Sequence, residues 1–161
     1  MANLKTEGVI YFDNLEQEVI FPRNKRMSKA HIYIVSQCVR WLEHSKEFRR
    51  LNGSTVSVYA VRGLTADRVF PDVTTDFFDI EAETGLKHSY TSLINRIKRN
   101  PRMVIVVLPN IDVKERYIAN CKIRTFNLKF CTLDEFPKTI HDVLRVVRER
   151  KKREKPSLTS P

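Results

Sequence analysis

Residues 103–108 read Met-Val-Ile-Val-Val-Leu, six apolar side chains with no polar interruption. The run is far short of the ~20 residues that cross a bilayer. It fits an interior β-strand covered on both faces. Around it, strand and helix patterns alternate. Residues 126–131 alternate as a strand, and Asn110 or Asp112 caps a short helix through Tyr117 between the two. Alternation of this kind predicts an α/β protein with at least part of its sheet parallel.

The rest of the chain fills in around that strand. Residues 8–21 read as two short strands about a turn at Asp13-Asn14. Ser28 can cap a helix to about Arg50, with Ile32, Val35, Cys38, Val39 and Leu42 at helical spacing and Asn52-Gly53 ending it. Residues 55–62 read as a strand, a second short strand approaches Pro71-Asp72, and residues 77–84 form a third. Gly85 breaks that third strand. Ser89 or Thr91 then begins a helix carrying Tyr90, Leu93, Ile94 and Ile97 on one face. A last helix has Phe136, Ile140, Val143, Leu144 and Val147 on one face. The expected order is ββ-α-βββ-α-β-α-β-α.

The 161 residues fit one domain. We expect an α/β unit over 1–147, then a basic helix extension and loose tail over 148–161. No apolar stretch is long enough to predict a membrane span, and the N-terminus lacks a signal-peptide pattern, so the default expectation is a cytoplasmic protein. Cys38, Cys121 and Cys131 are odd in number and contain no CxxC pair, which fits neither a disulfide framework nor a zinc site. Neither a GxGxxG nor a P-loop motif is present.

With 29 Lys and Arg against 19 Asp and Glu, the formal charge is +10. Such an excess points to a polyanion, most commonly nucleic acid. Half of it lies in residues 145–155, where Arg148, Arg150, Lys151, Lys152 and Arg153 continue the last helix beyond its apolar stripe. Helix-dipole compensation does not require so many cations. The run reads as an arm that contacts phosphates without reading sequence.

Against this basic background stands an acidic strand. On residues 77–84, Phe78, Ile80 and Ala82 face one way, and Asp79, Glu81 and Glu83 the other, about 7 Å apart along the strand. Asp72 arrives from the preceding turn. Clustered carboxylates repel, so solvent, arginines or a divalent cation must compensate. One reading is an edge strand with a solvated acidic face, paired with Arg62, Arg68 or Arg96. The other is a site where a hard metal meets phosphate oxygens, framed by Lys87, His88, Arg96, Lys98 and Arg99 on the following segment. Asp79 can replace either acid if the register differs. The four histidines, His31, His44, His88 and His141, have no zinc-like spacing and are expected at the surface, with His88 a candidate phosphate contact.

Pro71-Asp72 followed nine residues later by Glu81-Ala82-Glu83 on an apolar strand, with a helix before and a helix and strand after, resembles the PD-(D/E)xK nuclease superfamily. That resemblance covers roughly residues 28–108 and implies a restriction-endonuclease-like mixed sheet flanked by helices. It implies Asp72 and Glu81 as ligands of Mg²⁺ or Mn²⁺, with Glu83 as auxiliary ligand or base. Glu43 or Glu47 would be the helix glutamate. Glu83 stands where the superfamily has its lysine, so Lys87 or Lys98 would supply that group. The implied function is metal-dependent hydrolysis of DNA phosphodiester bonds, with a homodimer expected by analogy. The departure at Glu83 keeps open a non-catalytic DNA-binding or replication accessory protein on a degenerate nuclease fold.

Overall fold

The computed structural model describes residues 7–13, 18–22, 28–51, 56–58, 64–65, 68–69, 71–86, 90–123, 125 and 127–154. Two strands, β1 (Glu7–Tyr11) and β2 (Glu18–Pro22), pair antiparallel as a hairpin. The first helix follows, with the Ser28 hydroxyl accepting from the His31 N–H. It runs as α1 (Lys29–His44) and breaks at Ser45, which ends α1 and caps α2 (Lys46–Arg50) by accepting from the Phe48 N–H. A serine that serves as C-cap and N-cap divides what the apolar spacing presents as one helix.

The sheet is β3 (Val56–Val58), β6 (Val73–Thr75), β7 (Asp79–Ala82), β8 (Val104–Leu108) and β9 (Leu128–Thr132), in that spatial order. Between β3 and β6 lies a small antiparallel pair, β4 (Leu64–Thr65) and β5 (Arg68–Val69). The pairs β3–β6 and β6–β7 are antiparallel, and β7–β8 and β8–β9 are parallel. The parallel steps need crossovers, supplied by α3 (Tyr90–Arg99) and α4 (Ile111–Asn120). The chain is therefore an α/β protein with a mixed sheet flanked by helices.

Residues 103–108 behave as their composition requires. All five residues of β8 are buried. Ile105 and Val107 pack with α1, α2 and α5 (Phe136–Glu154) on one face. Val104, Val106 and Leu108 pack with Leu93 and Ile97 of α3 and Val113 and Tyr117 of α4 on the other. On neighbouring β7 only the first face is apolar: Phe78, Ile80 and Ala82 join the α1–α2–α5 layer. The second layer is thus hydrophobic over β8 and carboxylate-bearing over β7.

Gly85 makes the turn out of β7 at φ +79°, and a Cβ there would lie 2.7 Å from Val113 Cγ1. Both the left-handed backbone and the contact with α4 exclude a side chain. Gly85→Ala is therefore expected to cost about 2 kcal/mol or more, read as a lower urea midpoint at unchanged slope.

The basic run is helical: α5 continues unbroken through 147–148 to Glu154. The expected boundary there is a change of face and not of helix. The tail from residue 155 onward lies outside the described residues, as does the basic cluster at 23–26.

Candidate functional site

The acids converge, and they do so inside the protein. Asp72, Asp79, Glu81 and Glu83 keep 6%, 3%, 4% and 7% of their exposure. A solvated edge strand is ruled out, because β6 and β8 flank β7 on its two sides. The short strand β6, unexpected from its sequence, accounts for this. Its register, Val73 opposite Ile80 and Thr74 opposite Asp79, places Asp72 opposite Glu81. Asp72 Oδ2 accepts from the Ala82 N–H at 2.8 Å, so a side chain continues the ladder where the β6 backbone stops.

His31 reaches Asp72 from the first turn of α1. Its Nε2 is 3.1 Å from Asp72 Oδ1, with the ring 1% exposed. The expected surface position for His31 is wrong. The buried stripe of α1 is Ala30, His31, Ile34, Val35, Cys38 and Leu42, while Ile32, assigned to that stripe, is 49% exposed. A histidine in step with Ile34, Val35, Cys38 and Leu42 was the available signal. Glu43 is exposed, twelve residues beyond His31 and so about 18 Å further along the helix. Glu47 is bound instead by His141 and Arg148. The α1 residue at the acids is His31.

Among the described residues, a cation that compensates the acids is Arg96 of α3. Its Nη2 donates to Glu83 Oε1 at 2.6 Å, and its Nε lies 3.4 Å from Glu81 Oε1 as an ion pair without hydrogen-bond geometry. Arg96 was expected to meet nucleic acid, but its guanidinium is turned inward and 19% exposed. Burial works against its charge, yet Glu81, Glu83 and Asp72 outweigh that cost and raise its pKa. Lys98 and Arg99 are exposed on the same helix. Lys87 and His88 lie outside the described residues.

Burial, then the charges of Asp72 and Glu83, push the Glu81 carboxyl up to about 8, against the lowering effect of Arg96. Glu83 is held on its other oxygen by the Tyr117 hydroxyl, which donates to Oε2 at 3.2 Å. Burial and the facing carboxylate push the Tyr117 phenol well above its usual range. Asp79, the alternative acid, is occupied by structural partners. It accepts from Asn100 Nδ2 at 2.7 Å and from the Thr74 hydroxyl, and Arg102 Nε stands 3.4 Å away.

Among the described residues no group of three or more His, Cys, Asp or Glu is arranged to hold a metal ion as the side chains stand. The donor types, carboxylates of Asp72, Glu81 and Glu83 with the His31 imidazole beside Asp72, are those a hard divalent cation accepts. Arg96, bridging Glu81 and Glu83, holds two of those carboxylates. Searches for family models, curated proteins and solved structures similar to this chain find no match. No helix among the described residues is long and apolar enough to cross a membrane.

Proposed function

We propose that the chain is a metal-dependent nuclease that hydrolyses DNA phosphodiester bonds on a restriction-endonuclease-like core. The observation that supports this reading is the burial of Asp72 beside β7, where it accepts from the Ala82 N–H, close enough to Glu81 to help raise that carboxyl to about 8. Asp72 and Glu81 would hold Mg²⁺ or Mn²⁺, with Glu83 and His31 beside them. Bound there, such an ion lowers the pKa of a coordinated water and neutralises charge building on the phosphate. The protein's own groups do the rest. Tyr117 fixes Glu83, His31 lies against Asp72, and Arg96 is the nearest described cation to offer a scissile phosphate once it releases Glu81.

Incubation of plasmid DNA with Mg²⁺ or Mn²⁺ tests this. Asp72→Asn and Glu81→Gln are expected to lower cleavage by about 10²–10³-fold, the scale of losing one electrostatic stabiliser. Equal cleavage by wild type and both variants would sink the assignment.

One observation favours the second reading, a non-catalytic DNA-binding or replication accessory protein. Arg96 already neutralises Glu81 and Glu83 without a metal. That reading predicts DNA binding with no metal-dependent cutting by the wild type.

A further inference from the structure

The basic end of α5 does not stand alone. Glu47 of α2 is held by His141 Nδ1 at 2.8 Å and by Arg148 Nη2 at 3.1 Å, both from α5. Lys151 donates to the Leu51 carbonyl at 3.0 Å, and its ammonium lies 5.0 Å over the Phe77 ring. These contacts fix α2 against α5. Together residues 46–50 and 145–154 carry nine basic side chains against three acidic ones. Of those three acids, Glu47 is spent on the helix contact itself.

The position of this surface is as informative as its charge. His31 marks the end of α1 at the acidic cluster, and Ser45, where α2 begins, marks the other end, about 21 Å away along the helix. The sheet gives the same separation. Phe77, beneath Lys151, precedes β7, while Glu83 follows it, six residues or about 20 Å of extended chain later. The basic surface and the acids occupy opposite ends of the sheet.

We propose that α2 and the last three turns of α5 form one surface that binds the sugar–phosphate backbone of duplex DNA, independent of sequence and remote from the acidic cluster. Lys46, Arg49 and Arg50 are its α2 half; Arg145, Arg150, Lys152 and Arg153 are its exposed α5 half. Six of the nine cations are arginines, whose planar forks match phosphate oxygens. A lipid surface is disfavoured because an interfacial helix needs an apolar face to insert. That of α5 (Phe136, Ile140, Val143, Leu144) is already buried in the core. The proposal does not depend on whether the acids perform hydrolysis.

The test is equilibrium binding of the full chain to a 20-base-pair duplex of random sequence in EDTA, from 50 to 200 mM salt. Each backbone contact contributes about 0.9 to the slope of log affinity against log salt. Arg49→Gln with Arg50→Gln, and separately Lys152→Gln with Arg153→Gln, are each expected to lower that slope by about 2 and the affinity at 100 mM salt by about tenfold. Lys29→Gln, an exposed cation at the end of α1 nearest the acids, should leave the slope unchanged. Circular dichroism melting shows that the variants fold. A slope unaffected by the α2 pair overturns the two-helix surface, and a slope lowered by Lys29→Gln overturns its remoteness from the acidic end. Tighter binding to phosphatidylserine vesicles or to polyglutamate than to the duplex overturns the choice of partner. Loss of cleavage without loss of slope bears on the nuclease reading alone.

Discussion

Arg96→Ala is expected to destabilise the protein by about 3 kcal/mol at pH 8 in EDTA, the low end of the cost of stripping one partner from a buried charge group. For a chain of this size that is a fall in Tm of about 10 °C. The cause is the company Arg96 keeps. Glu81 and Glu83 are buried, Asp72 adds a third carboxylate, and Arg96 is the cation paired with both glutamates. The 19% exposure of Arg96 admits some solvent screening, hence the low end of the range. Arg96→Lys keeps the charge but not the fork that spans Glu81 and Glu83, and should recover only part of the loss. At pH 5.5 the Arg96→Ala cost should shrink, since Glu81 is then protonated whether or not its partner is present. Excess Mn²⁺ should restore more stability to Arg96→Ala than to wild type, as a ligand that binds only the folded state does. A loss under 1 kcal/mol would show the carboxylates reaching solvent. A loss that Mn²⁺ leaves untouched would count against metal ligation by these acids.

Much of this architecture was legible in the chain, for reasons that differ by element. Residues 103–108 had one physical solution, because an unbroken apolar run needs cover on both faces, and α1–α2–α5 and α3–α4 supply it. Period-two alternation on 77–84 separated Phe78, Ile80 and Ala82 from the carboxylates correctly. Alternation says which residues share a face and not what covers it. The burial of Glu81 and Glu83 depends on β6, a three-residue Val-Thr-Thr strand too short for any period to register, and on Arg96 arriving from α3. Spacing among the histidines carries no sign of His31; its place on the α1 stripe, in step with Ile34, Val35, Cys38 and Leu42, does. Analogy with a helix glutamate points to Glu43 or Glu47, whereas the helix presents its first turn to Asp72. The break at Ser45 was hidden because the residues on both sides are good helix formers. It matters, since it turns α2 against the end of α5 and assembles the basic surface.

Glu81→Gln should reverse the usual direction of a core substitution. In the folded protein the Glu81 carboxyl titrates near 8, raised by burial first and by Asp72 second, while in the unfolded chain it titrates near 4.5. Between those values the folded state holds a proton that the unfolded state has released. Stability from this group is therefore full below about 4.5 and is lost as pH rises through about 8. In EDTA the wild type should lose up to about 1.4 kcal/mol per pH unit across that window. Glutamine keeps the shape, but it has no proton to lose. The variant should show a nearly flat profile from pH 5 to 8, so that it gains up to about 4 kcal/mol on the wild type across that range and is the more stable of the two at pH 8. Urea unfolding at half-unit pH steps measures both. Parallel profiles for wild type and variant would mean that Glu81 is ionised throughout and that the buried charge is carried elsewhere. A double variant, Glu81→Gln with Arg96→Ala, should cost less than Arg96→Ala alone, because the two side chains are in contact and their effects cannot add. If that stability gain accompanies the loss of metal-dependent cleavage, Glu81 is retained at a cost to the fold for the sake of its chemistry.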